Sequence, residues 1–189
     1  MGRRKMRLYF PLMAVLSICS LFAATQPLVA AQGGNCDLPG SLDEEIAKKY
    51  PGSRVVTLAD LDEHDKDLFQ KEHGSQCPGL VSVDFYGHDE PTWALVLISG
   101  DGPQRIVEFL VARKGPKAWE FLSLDKTRGT AVVWSERPGR YQNNMGREVT
   151  WAVKAVVVVR QYPTRGTIAY AWVGNKLEAA VWAGKLHGR

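Results

Sequence analysis

Two short runs constrain this chain more than any other feature. Residues 93–98, Trp-Ala-Leu-Val-Leu-Ile, and residues 155–159, Ala-Val-Val-Val-Val, are apolar at every position rather than at alternate ones. β-Branched and aromatic residues suit extended backbone, and a strand apolar at both odd and even positions turns apolar side chains to both faces. Each run is therefore expected as a central strand covered on both sides, either by helices on a twisted sheet or by a second sheet.

The pattern around these runs is that of antiparallel meanders. Strands are expected at 80–86, 92–99, 105–113, 118–124, 130–135, 150–160, 167–173 and 176–182, separated by turns rich in Gly, Pro, Asp and Asn. Gly174-Asn175 forms a two-residue hairpin signal. Residues 137–147 stand out as the longest stretch without strand character. Their Arg137, Arg140, Tyr141, Asn143, Asn144 and Arg147 make that loop a candidate ligand site, because long loops on a rigid scaffold often carry function.

The segment before residue 80 reads differently. Ser41-Leu42-Asp43-Glu44 has capping-box spacing and opens a short helix that Pro51-Gly52 stops near Tyr50. A short strand is expected at 55–58, then a second helix over 62–73 with acids in its first turn, Leu68 and Phe69 as apolar contacts, and Gly74 at its end. The fold class that follows is α+β: a meander-rich antiparallel sheet of about eight strands with two short N-terminal helices. Residues 32–189 form one domain in this reading, with 32–79 as the helical part and 80–189 as the sheet.

Residues 1–31 are read as a secretory leader. Arg3, Arg4, Lys5 and Arg7 precede an apolar run over 8–24, and Leu28-Val29-Ala30-Ala31 supplies small residues for cleavage after Ala30 or Ala31. At 17 residues the run is close to the lower limit of a membrane-spanning helix, about 17–25 residues, so a retained anchor is the alternative. Pro11 and the turn at Thr25-Gln26-Pro27 favour cleavage. Lipidation at Cys19 would need a small residue before it, where Ile18 stands.

Removing the leader changes both the charge and the cysteine argument. The four leader bases account for the whole excess of 24 Lys+Arg over 20 Asp+Glu, so the mature chain is formally neutral and carries no call for nucleic acid. What remains is lopsided: residues 32–90 hold 13 acids and 5 bases, whereas residues 91–189 hold 7 acids and 15 bases. Internal pairing between an acidic cap and a basic sheet is the expected reason for that split, with a dedicated ligand surface the alternative. Cys36 and Cys77 are the two cysteines left, and in an oxidising compartment they are expected to pair as a staple. Such a bridge closes a loop of about 40 residues, worth about 4 kcal/mol in the chain-entropy model.

Residues 83–97, Val-Asp-Phe-Tyr-Gly-His-Asp-Glu-Pro-Thr-Trp-Ala-Leu-Val-Leu, resemble the strand, calcium-loop, strand unit of FG-GAP/VCBS-type repeats. In that family an Asp-x-Asn/Asp-Gly-Asp-Gly-x-x-Asp loop runs into a hydrophobic strand, offering hard oxygens to calcium. Asp84 and Gly87 match, while Tyr86, His88 and Thr92 replace oxygen ligands, leaving Asp84 as the lone candidate metal residue. The resemblance implies a related hairpin and an interaction module.

Other chemistry is thinly represented. Asp60-Leu61-Asp62-Glu63-His64-Asp65-Lys66-Asp67 lacks the Gly and Glu that an EF-hand needs, and reads as the acidic first turn of a solvated helix. His64, His73 and His88 show no H-E-x-x-H arrangement, and G-x-S-x-G, Walker and S-x-x-K patterns are lacking. Trp93, Trp119, Trp134, Trp151, Trp172 and Trp182 each fall in or beside an expected strand, where core packing is their ordinary use and a shared ligand platform the alternative. The resulting expectation is a periplasmic or secreted, non-enzymatic binding or envelope-associated protein whose partner is a protein or glycan of the envelope, with no cofactor. The rivals are a small extracytoplasmic hydrolase with its site near His88 or the 137–147 loop, and a self-associating protein exposing a sheet edge at 55–58 or 177–182.

Overall fold

The computed structural model describes residues 36–142, 147–162 and 166–182. The leader, and with it the cleavage reading, lies outside the described residues, as do Asn143 and Asn144 of the candidate loop. The chain begins with helix α1 (Gly40–Lys49), the three-residue strand β1 (Ser53–Val55) and helix α2 (Glu63–His73). It continues through β2 (Leu80–Val83), β3 (Thr92–Ser99), β4 (Ile106–Lys114), β5 (Trp119–Arg128), β6 (Thr130–Glu136) and β7 (Gly139–Gln142). The last strands are β8 (Glu148–Trp151), β9 (Val156–Tyr162), β10 (Thr167–Val173) and β11 (Lys176–Val181).

The architecture is mostly antiparallel sheet with two helices, an α+β fold. Its strands form two sheets rather than a single eight-stranded one. The first sheet runs β1-β3-β4-β5 with β2 also on β3, and the second runs β6-β9-β10-β11-β7-β8. Gly129, at φ 103°, lets the chain pass from β5 in one sheet to β6 in the other. The two runs apolar on both faces are β3 and β9, and each is internal to its sheet.

Their cover comes from both sources that the sequence allowed. On β3, Leu95 and Leu97 pack with Leu110 and Ala112 of β4 against Leu42 and Ile46 of α1. The alternate residues Ala94, Val96 and Ile98 join Val107, Phe109 and Val111 in a second core shared with β6, β9 and β10. β9 is treated in the same way. Its face bearing Val158 and Arg160 receives α2, with the His73 ring 4.7 Å from that of Trp134 and the Arg160 guanidinium 3.0 Å from Glu72. Its opposite face carries Gln161, whose amide reaches Asp125 of β5 at 3.4 Å. The order of layers is helix, sheet, sheet, helix, and Val156 to Val159 are at most 1% exposed.

Three differences from the sequence reading have local causes. Residues 137–147 are not free of strands: β7 and β8 pair as Arg140↔Thr150 and Tyr141↔Val149, because Tyr141 and Trp151 bury their rings 4.9 Å apart. The expected strand 150–160 is accordingly two strands, β8 and β9, broken at residues 152–155. The Ser41 capping box does not form; the Pro39 carbonyl starts the helix earlier, and the Ser41 hydroxyl accepts instead from Trp119 Nε1 at 3.2 Å. α2 follows expectation, with Asp62 accepting from Asp65 N–H and Gly74 closing the helix at φ 65°.

Cys36 and Cys77 form a disulfide, with Cα atoms 5.2 Å apart and a sequence separation of 41. Cys77 is buried in the core beneath α1, so the staple fastens the incoming N-terminal segment to the start of β2. Directly after it, Gly79 slides against Val56; a Cβ there would lie 2.6 Å from the Val56 amide nitrogen, so only glycine fits. No helix among the described residues is long and apolar enough to cross a membrane.

The acidic segment also departs from a purely solvated reading. Asp60 has a side chain only 4% exposed and takes both guanidinium nitrogens of Arg54 at 2.5 and 2.6 Å. Burial raises its pKa, but Arg54 together with the Thr57 N–H and hydroxyl outweighs that and holds it at about 2. A carboxylate depressed in the folded state stabilises above its unfolded pKa and loses that stabilisation as pH falls toward the folded value. Allowing for the exposed Arg54, about 1–2 kcal/mol should disappear between about pH 4 and pH 2. Urea unfolding at successive pH values should show this slope in the wild type and a shallower one in Asp60→Asn; equal slopes would contradict the assignment.

Candidate functional site

The sequence candidates at Asp84 and Arg137, remote in the chain, are brought to one place. Among the described residues β2 pairs with β3 alone and β6 with β9 alone, so each has one edge without a ladder partner among them, and these edges lie side by side. Val133 N–H donates to Pro78 C=O at 2.7 Å and ties the strands at their start. No ladder continues from there. Past that bond lies a hollow of about 560 Å³ lined by Ser82, Asp84, Ser135, Glu136, Arg137 and Lys154. A smaller hollow of about 360 Å³, lined also by Asp89 and Glu90, shares residues 82–84 with it, so together they make a trough.

One end of the trough is closed by the loop between β2 and β3. The Asp84 carboxylate accepts from the N–H groups of Gly87, His88 and Asp89 at 2.8, 3.1 and 3.1 Å. Gly87 at φ 77° and Asp89 at φ 60° let those amides converge. Lys154, from the break between β8 and β9, then bonds Asp89 and stands 3.9 Å from Asp84. An ammonium and three amides thus occupy the acceptor positions of the loop. Lys154 bonding holds Asp89 below the usual carboxylate range, and Asp89 in turn raises Lys154. Among the described residues no group of three or more His, Cys, Asp or Glu is placed to hold a metal ion.

The other end is set by the start of β7. Arg137 is exposed and forms no ion pair with a described residue, while its carbonyl accepts from Tyr141 OH at 2.7 Å. Tyr141 is 4% exposed, and burial with help from Glu136 pushes its phenol up to about 12, so it stays a donor at any ordinary pH. Glu136 is drawn back by Trp134 Nε1 at 3.2 Å. Arg140 pairs with Glu148 at 3.0 Å across the β7/β8 hairpin, away from this constellation, and Arg147 follows at the start of β8.

Other candidates are dispersed. His64 and His88 are exposed, whereas His73 is wedged between Phe69 and Trp134 with Nε2 making no hydrogen bond but 3.6 Å from the Glu72 carboxylate, and burial lowers its pKa. The sequence carried no sign of that burial, since the cover comes from β6. Trp134 and Trp151 are buried and bond Glu136 and Glu178 through their indole N–H groups. Trp172 packs on Tyr86 and Trp182 on Tyr141, so the six tryptophans share no common platform. Further hollows beside the disulfide and around Arg113 bring together none of the expected ligand residues. Of the edges suspected of self-association, β11 pairs along its length with β10 and meets β7 at Val181↔Gln142.

No protein-family model matches the chain, and neither does any curated protein or solved structure.

Replacing Asp84 by Ala removes the acceptor of three loop amides and should cost about 1–3 kcal/mol of stability. Thermal melts with and without millimolar calcium should give the same loss. A saturable calcium-dependent rise in the wild-type Tm that Asp84→Ala abolishes would contradict the loop's being closed by its own amides and Lys154.

Proposed function

We propose that this chain is an exported, non-enzymatic binding protein that works in the periplasm or outside the cell and takes a protein or glycan of the envelope into the trough between β2 and β6. The carrying observation is the trough itself: a polar hollow between two rigid sheet edges, whose floor is fixed by backbone and side-chain bonds. Its Asp84, Asp89, Glu136 and Lys154 are committed to partners within the fold, which suits recognition more than proton transfer. Tyr141 and Tyr170, whose phenols are pushed far above their usual range by burial, are buried in packed core. The disulfide supports an oxidising compartment, and the leader reading supports export. The hairpin resemblance to FG-GAP/VCBS-type repeats adds an analogy to interaction modules, with Lys154 standing in the calcium loop.

The test uses the mature oxidised domain immobilised beside Ser135→Trp, which fills the trough from an exposed position. Both forms should melt alike. Envelope extract should leave a partner on the wild type that is reduced about tenfold or more on the variant, as expected of a change central to an interface. Equal retention by both would place any binding elsewhere. Hydrolytic turnover of an envelope peptide or glycan by the wild type, lost in His88→Ala, would overturn the non-enzymatic reading.

A further inference from the structure

Helix α2 is docked on β6 and β9 by a polar stripe. Its inward residues are Asp65, Phe69 and His73, spaced four apart on one helix face, and two of the three are ionisable. Phe69 is the only buried apolar side chain that the helix itself contributes. A face of this kind is held by the state of its polar groups as much as by apolar area.

Both ends of the helix are fastened independently of that face. Asp60, just before it, is gripped by Arg54, and Cys77, just after it, is in the disulfide. Asp60 is held at about 2, so its charge and its grip persist through mildly acidic pH. Residues 61–76 therefore form a loop with two fixed ends, which can leave the sheet without the sheets coming apart.

His73 sits where docking is sensitive to a proton. Its ring lies 4.9 Å from that of Phe69 and 4.7 Å from that of Trp134, and Nε2 finds no hydrogen-bond partner among the described residues. Burial between these groups is the largest influence on it and disfavours the charged ring. Glu72 of the same helix, 3.6 Å from Nε2, and Glu136 of β6 favour the proton, while Arg160 of β9 opposes it. Glu72 is shared, since Arg160 takes it at 3.0 Å. Arg160 also stands 5.3 Å over the Trp134 ring, so a protonated His73 would set a second cation against the same indole. The net effect lowers His73 from its usual 6.5. The docked helix thus keeps the ring neutral, whereas a released helix gives it to water, where it takes a proton at the ordinary value. Docking is at full strength above about pH 6.5 and weakens as pH falls from there toward the lower, docked value.

We propose that α2 is an acid-released flap: protonation of His73 frees the helix from β6 and β9 while Asp60 and Cys77 keep its ends in place, uncovering the Trp134 ring and the Arg160 guanidinium. The device is separate from the trough and stands whether or not the trough takes a ligand.

The test is residue-resolved hydrogen exchange on the oxidised mature domain at pH 7.5 and pH 5.5, with each amide referred to its intrinsic rate at that pH. Amides inside α2 should open more readily than those of β3 at both values, and their opening constant should rise by up to about tenfold at pH 5.5. His73→Phe, which keeps a ring of similar shape without a titrating nitrogen, should give α2 opening constants that agree at the two pH values. His73→Gln should agree in the same way while opening more readily throughout, so the result does not hang on how well phenylalanine packs. A rise at pH 5.5 that persists in both variants would overturn the role of His73. Amides of α2 that open only together with those of β3 would overturn the flap.

Discussion

The burial of β3 and β9 on both faces is the constraint from which the rest of the structure follows. A half-exposed strand can sit in a single sheet with one wet face, but Ala94 to Ile98 and Val156 to Val159 cannot. Covering both runs at once requires the two sheets to face each other and a helix on the outside of each. That arrangement assigns α1 to the Leu95 and Leu97 face and α2 to the Trp134 and Arg160 face. It also accounts for the charge split along the chain. The acidic N-terminal third is laid over the basic sheets, where Glu72 meets Arg160, Asp89 meets Lys154, and Arg105 reaches the Asp60 carbonyl.

Two facing sheets must be joined somewhere, and here the joint is incomplete. The chain crosses at Gly129, and the Pro78–Val133 backbone bond fastens the other side. The disulfide and Gly79 hold Pro78 in place, so the staple stabilises the unfolded-to-folded balance and also anchors one lip of the trough. Beyond that bond the edges carry serines and charged groups in place of another rung. Charged and polar side chains on a strand edge guard against uncontrolled pairing.

Much of this was legible in the sequence, and the misses are instructive. Periodicity located β3, β4, β10 and β11 to within a residue or two at most boundaries, because their alternation and turn residues are local properties. The strongest cap signals of α2, Asp62 and Gly74, worked because they satisfy the helix's own ends. Ser41 failed as a cap because a distant indole, Trp119, claims its hydroxyl. The β7/β8 hairpin was hidden in an arginine- and asparagine-rich stretch whose pairing depends on the burial of Tyr141 against Trp151. The count of sheets was beyond local reading, since nothing in the turn at Gly129 says that the next strand joins a different sheet. For the site, Asp84 and Arg137 were each picked out singly. Their convergence with Lys154 and Ser135 is a tertiary fact, and Lys154 carried no sequence sign of its role as the cation of the Asp84 loop.

The central claim is that the facing edges of β2 and β6 are closed at one bond and open beyond it. Residue-resolved hydrogen exchange on the oxidised mature domain tests this directly, because an amide in a ladder is protected and one facing an open trough is not. The amides of Val96, Val133 and the β9 interior should exchange only on global unfolding, while those of Ser82 and Ser135 exchange orders of magnitude faster in the folded state. Protection of Ser82 and Ser135 equal to that of Val133 would mean that the two edges pair along their length, and the account of a binding trough would be wrong.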